Sequence, residues 1–121
     1  MLIVDDSVTI RRTLDQMFTR AGFATALARD GREALEIMVA QLPRVIILDV
    51  EMPRLGGYEL LRILRGSARY AQTRVVMLTS QAGVAHEQHA RAMGADEYLV
   101  KPCPQETLIA VVRRLLADSE T

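Results

Sequence analysis

Short apolar runs and amphipathic segments alternate from one end of this chain to the other, and that alternation limits its fold more than any other feature. Leu2-Ile3-Val4, Val45-Ile46-Ile47-Leu48, Val75-Val76-Met77-Leu78 and Tyr98-Leu99-Val100 are unbroken runs of apolar residues. A run without polar interruption suits a strand buried on both faces, and hence a parallel sheet covered by helices on each side. Phe23 to Ala28 reads as a further, weaker strand between the first two runs.

The intervening segments carry apolar residues at helical spacing. Ile10, Leu14, Met17, Phe18 and Ala21 form the first stripe, with Ser7 as a cap and Gly22 as a stop. Asp30 and Glu33 look like a capping pair for a second helix, with Leu35, Met38 and Leu42 as its buried stripe and Pro43 beyond its end. Leu60, Leu61 and Leu64 suit a third helix, closed by Gly66. Val84 to Met93 makes a poor fourth helix with mostly alanine on its apolar side, ended by Gly94. Leu108, Val111, Val112, Leu115 and Leu116 give the clearest amphipathic pattern, with Pro104 near the first turn. Five strands and five helices in strict alternation predict an α/β fold with right-handed crossovers. The natural arrangement is a flavodoxin-like (βα)5 doubly wound sandwich, its five-stranded parallel sheet in the order 2-1-3-4-5.

A chain of 121 residues fits one domain, 1–121, and half of it is hydrophobic, enough for a core without disulfides. Fifteen basic residues balance fifteen acidic ones, and tryptophan is absent. Neither nucleic acid nor an anionic membrane is favoured by such a balance. Cys103 is the single cysteine, compatible with a reducing compartment. No apolar run could span a bilayer and the opening Met1-Leu2-Ile3-Val4 is too short for a signal peptide, so a cytoplasmic location is expected. The polar end, Asp118-Ser119-Glu120-Thr121, reads as a cut-off linker.

Four of the runs break off on residues that carry chemistry. Asp5 and Asp6 follow the first strand, Asp49 the third, Thr79 the fourth and Lys101 the fifth. Ligands of an open parallel sheet bind outside the carboxyl ends of the strands, where the strand order reverses, here between the first and third strands. Three carboxylates gathered there repel one another, and a divalent cation resolves the repulsion. Oxygen donors favour magnesium, manganese or calcium over zinc, and magnesium combines one or two carboxylates with phosphate oxygens. Three carboxylates, one ammonium and one divalent cation sum to zero, so a phosphoryl donor can enter. Carboxylates accept phosphoryl groups, and Asp49, on the buried central strand, is the best placed nucleophile. Asp6 would hold the metal directly and Asp5 through water or in support; Lys101 would neutralise a phosphoryl oxygen and Thr79 hydrogen-bond one. Singly, an Asp after a strand is usually a turn or cap and a Lys-Pro usually a loop. Four such elements at four strand ends are much harder to explain that way.

The set Asp5-Asp6, Asp49, Thr79 and Lys101-Pro102 resembles the receiver domains of two-component response regulators. The local contexts Val4-Asp5-Asp6-Ser7, Leu48-Asp49-Val50-Glu51-Met52-Pro53, Met77-Leu78-Thr79-Ser80 and Tyr98-Leu99-Val100-Lys101-Pro102 match too, over essentially the whole chain. The resemblance implies a phosphoacceptor that phosphorylates and dephosphorylates itself rather than an enzyme of sustained turnover. It implies magnesium as cofactor, with manganese able to substitute, and the backbone carbonyl of Glu51 as an added ligand. It also implies a switch made of Thr79 and Tyr98 acting on the face of the fourth helix, fifth strand and fifth helix. Phosphorylation would draw the Thr79 hydroxyl to the phosphate and let Tyr98 turn inward. The Lys101–Pro102 peptide would be cis. The implied partner is a histidine kinase or a histidine phosphotransfer domain, with no nucleic acid and no membrane insertion, the chain itself being a monomer or weak dimer.

Two departures stand out. Gly56-Gly57 replaces the usual Asp or Asn followed by Gly, which predicts a looser loop in which Gly57 permits the turn. The abrupt start at Met1 suggests an excised domain. The runs Val4 to Arg12, Asp49 to Arg54 and Thr79 to His86 are most similar to receivers fused to chemotaxis-type histidine kinases, with a stand-alone regulator as the alternative. Docking is expected on the first helix at Ile10, Arg11 and Leu14. Rival readings are a haloacid-dehalogenase-like phosphatase, whose nucleophile opens a D-x-D motif on the first strand, a receiver-like module that never takes phosphate, and a flavin mononucleotide protein, which would need a hydroxyl-rich loop where this chain has two acids. His86 and His89, three apart with no third ligand, read as a solvated helix face, and Cys103 as incidental.

Overall fold

Every one of the expected elements forms. A computed structural model describes residues 1–119. In chain order it comprises β1 (Leu2–Val4), α1 (Val8–Arg20), β2 (Ala26–Ala28), α2 (Gly31–Ala40), β3 (Val45–Leu48), α3 (Gly57–Arg65), β4 (Arg74–Thr79), α4 (Val84–Ala92), β5 (Glu97–Val100) and α5 (Gln105–Ser119). The five parallel strands lie in the order β2-β1-β3-β4-β5. The fold is the predicted flavodoxin-like sandwich, and the order reverses between β1 and β3.

The sheet divides the core in two. On one face α2, α3 and α4 cover Leu2, Val4, Ile46, Leu48, Val75 and Met77; on the other α1 and α5 cover Ile3, Val45, Ile47, Val76 and Leu78. Strand residues thus point alternately to two cores, which is why the runs are unbroken. Leu60, Leu61 and Leu64 of α3 are fully buried, each worth roughly 1.5–3 kcal/mol of burial. This gives α3 a sharper apolar face than α5, where Leu108, Val112 and Leu115 are buried but Val111 and Leu116 only half so. α4 buries Ala90 alone.

Three sequence expectations fail in detail. β2 spans only its last three residues, because Phe23 leaves the sheet to pack edge-on against Phe18. Leu42 lies past the end of α2 and is 48 % exposed, and Leu35 is half-buried; Ala34 and Met38 do the packing instead. The polar tail begins as helix, since α5 runs to Ser119, while Glu120 and Thr121 lie outside the described residues.

Helix ends leave carbonyl groups without partners, and guanidinium groups satisfy several of them. Arg113 donates to Ala21 after α1, Arg69 to Met38 and Val39 of α2, and Arg44 to Leu116 of α5. Register then builds the site. Val4 pairs with Leu48, so Asp5 and Asp49 leave neighbouring strands side by side. Thr79 pairs with Val100, and its carbonyl accepts the Lys101 amide at 2.8 Å.

Candidate functional site

Asp5, Asp6 and Asp49 each offer a carboxylate oxygen within 4.8 Å of the others, the only such cluster of ligand residues among those described. Asp5 and Asp49 are buried and Asp6 is exposed. Lys101, the only lysine in the chain, reaches in from the end of β5 and places its Nζ 2.8 Å from Asp5 Oδ2 and 3.8 Å from Asp49 Oδ1. All-oxygen donors in an anionic pocket fit a hard divalent cation.

Asp5 and Asp6 differ in how they are held. Asp5 Oδ1 accepts the Ser7 amide at 2.9 Å, Oδ2 accepts Lys101, and its carbonyl oxygen accepts Arg11 Nη1 at 2.6 Å. The Asp6 carboxylate makes no hydrogen bond or ion pair among the described residues, and is free to meet a ligand. Burial, then the charge of Asp5, push the Asp49 carboxyl up to about 6, with Lys101 acting against them. Burial and the neighbouring carboxylate thus oppose ionisation of Asp49, and a bound cation would relieve both.

Thr79 is buried at the end of β4, and its hydroxyl accepts the Gln81 amide at 3.2 Å. Gln81 is a residue the sequence reading missed. Its carbonyl accepts the Tyr98 hydroxyl at 2.5 Å, and its side-chain amide donates to Glu51. One residue thus touches the hydroxyl at the pocket, the loop after Asp49 and the aromatic ring of β5. Nothing in its local sequence marks it. Tyr98 is 5 % exposed, its ring packed inside. Burial, with the neighbouring Tyr58 adding to it, pushes its hydroxyl up to about 12.

The loop carrying Glu51 is not loose. Gly57 donates to the Val50 carbonyl, Leu55 accepts the Gly31 amide, and Arg54 pairs at 2.6 Å with the buried Asp30 that caps α2. Gly57 has no positive φ. It is needed for close approach, not for the turn. Arg54, at φ 67°, is the one non-glycine residue in the left-handed region among those described. The Lys101–Pro102 peptide is cis, as the resemblance implies.

The three docking residues expected on α1 take different places. Leu14 is buried in the core and Arg11 is turned to the Asp5 carbonyl. A groove of about 460 Å³ between α1 and α5 opens beside Lys101 and is lined by Ile10, Thr13, Leu14, Pro102, Cys103 and Gln105. Cys103 is half-buried there and burial pushes its thiol up, away from reactivity. His86 and His89 are exposed as expected, His89 resting edge-on against Tyr58. No helix among the described residues is long and apolar enough to cross a membrane.

Comparison with known proteins agrees with this geometry. The family model for the response regulator receiver domain matches residues 1–113. The protein PilG of Pseudomonas aeruginosa is 34 % identical over 113 residues, 93 % of this chain and 84 % of that protein. A probable transcriptional regulator of Cyanophora paradoxa is 38 % identical over 99 % of this chain but only 49 % of its own length, so this chain spans about half of such relatives. The chemotaxis protein CheY4 of Vibrio cholerae superposes with a TM-score of 0.88 at 38 % identity, over 94 % of this chain and 95 % of that one. The receiver domain of a signal transduction histidine kinase from Syntrophus aciditrophicus gives 0.89 at 35 % identity, over 97 % and 89 %.

Proposed function

The chain belongs to the receiver domains of response regulators, and from that premise we propose that Asp49 is its phosphoryl acceptor, served by a phosphohistidine in a magnesium-dependent reaction. The observation that carries the proposal is the meeting of Asp5, Asp6 and Asp49 within 4.8 Å, with the Lys101 ammonium 3.8 Å from Asp49. A carboxylate oxygen of Asp49 attacks phosphorus; the P–O bond forms as the P–N bond breaks, and the imidazole leaves. Lys101 neutralises a phosphoryl oxygen and the Thr79 hydroxyl donates to another. Asp6, Asp49 and the Glu51 carbonyl would hold magnesium or manganese, with Asp5 in support, and the cation supplies charge neutralisation. Incubation with magnesium and a small phosphodonor should add one acid-stable, base-labile phosphoryl group, and Asp49→Asn should abolish it. Equal labelling of that variant would sink the proposal.

The donor is a histidine-bearing helical domain docked on the α1–α5 groove, which opens beside Lys101. The output runs through the α4–β5–α5 face. When the Thr79 hydroxyl turns to the phosphate it gives up its bond from the Gln81 amide, and Gln81 also holds Tyr98. α4 buries little and should respond most. Amide exchange with and without a phosphate mimic reads this, and unchanged exchange in α4 with the mimic bound would refute it. The likeness to a histidine kinase receiver and to a chemotaxis protein favours a receiver within a chemotaxis-type hybrid kinase. A tethered donor then acts at high effective concentration. The likeness to PilG, of which this chain covers 84 %, favours the stand-alone alternative. The full reading frame that encodes the domain decides between them.

A further inference from the structure

Asp5 has all four of its polar atoms engaged. Its amide donates to the Ala28 carbonyl at 3.1 Å, its two carboxylate oxygens accept Ser7 and Lys101, and its carbonyl oxygen accepts Arg11 Nη1 at 2.6 Å. Asp6 next to it has no side-chain partner among the described residues. The direction of the Asp6 carboxylate is therefore set by its main chain, and first by the peptide plane that joins it to Asp5. The oxygen of that plane is what Arg11 grips.

Arg11 is an unexpected residue where it stands. It lies at the beginning of α1, which has no acid in its first turn. A cation near a helix N-terminus works against the helix dipole. Its position is explained if the acidic turn outside the helix is its partner. The arginine main chain joins the same unit, since its amide donates to the Ser7 carbonyl at 3.0 Å. The guanidinium also places a second positive group at the edge of the pocket, beyond Lys101.

We propose that Arg11 is a positioning residue for the cation site, fixing the Asp5–Asp6 peptide so that the Asp6 carboxylate is presented to the metal; this rests on the magnesium-dependent reading above. It acts through the residues that bind the ion and touches neither the ion nor the phosphoryl group. Partners of this kind hold a ligand in its binding direction, and their loss weakens metal affinity more than it alters the chemistry of a filled site.

The test titrates magnesium into the 121-residue chain and follows tyrosine fluorescence or amide NMR shifts, with phosphorylation rates measured in parallel. Arg11→Met keeps the stem and removes the donor. Arg12→Gln removes the same charge from the next residue, which is exposed and makes no hydrogen bond or ion pair with Asp5 among the described residues. Arg11→Met should bind magnesium about ten-fold more weakly, regain the parental phosphorylation rate at saturating magnesium, and leave Arg12→Gln at the parental affinity. Should Arg11→Met fail to fold, Arg11→Leu, which also lacks a donor, carries the same comparison. Parental affinity in the folded Arg11 variant overturns the inference, as does an equal loss in Arg12→Gln, which would make the effect unspecific to Arg11, since removing a positive charge by itself favours a bound cation. A parent protein that binds no magnesium overturns the proposed function and this inference with it. A parent that binds it beside an Arg11 variant that binds equally overturns this inference alone.

Discussion

Gly57, the first residue of α3, packs directly against the main chain of Asp49: a Cβ at Gly57 would fall 2.2 Å from the Asp49 carbonyl oxygen and 2.9 Å from the Val50 Cα. Both obstacles are backbone, so neither can swing aside. Gly57→Ala must push α3 away from β3 or displace Asp49 itself. It should cost on the order of 3 kcal/mol or more, read as a lowered denaturant midpoint, and phosphorylation should fall with it. An alanine variant of parental stability and activity would mean that α3 can shift freely.

Asp5 and Asp6 should separate into a structural and a ligand profile. Asp5→Asn weakens the bond to Lys101 in a buried setting and should cost about 2 kcal/mol. Asp6→Asn removes an exposed, unpaired carboxylate and should change stability by less than about 0.5 kcal/mol, yet weaken magnesium binding more than Asp5→Asn does. Thermal melts paired with magnesium titrations check both halves.

Asp49 should make the metal-free protein less stable as pH rises. Its carboxyl is raised from 3.8 to about 6, chiefly by burial and by Asp5. The folded state then holds this proton more tightly than the unfolded chain, so the group's contribution is present at low pH and lost as pH climbs through about 6. Asp49→Asn without magnesium should therefore be the more stable protein near neutral pH, by roughly 1–3 kcal/mol. The gain should shrink toward about pH 4, where the native carboxyl is itself neutral. Magnesium affinity of the parent should fall over the same window. A pH-independent difference between the two proteins would contradict the shift.

Tyr58 should gain from losing its hydroxyl. That oxygen is buried beside the Tyr98 hydroxyl, whose proton goes to the Gln81 carbonyl, and it makes no well-formed hydrogen bond among the described residues, an arrangement that costs about 1 kcal/mol or more. Tyr58→Phe keeps the ring and its edge-on contact with His89, and should raise the denaturant midpoint. A lower midpoint would mean that the hydroxyl has a partner, the Tyr98 oxygen or an ordered water.

The sequence by itself determined the order of elements, the sheet, and the five side chains at the strand ends. Those features are local: an unbroken Val-Ile-Ile-Leu run reports burial on both faces, and a strand's last residue is carried to the sheet's edge whatever packs behind it. The tertiary structure alone decided the contacts that bring distant backbone together. Leu42 continues the helical spacing of α2, yet the helix ends before it. Gly57 looks like a turn residue, and only the path of β3 shows that it makes room for the Asp49 carbonyl. Arg11 and Arg12 are equivalent on paper, and the fold turns one to Asp5 and the other to solvent. Gln81 gains its place between Thr79, Glu51 and Tyr98 from three separate loops and strands. Each of these depends on where a second segment lies, and periodicity along one segment carries no record of that position.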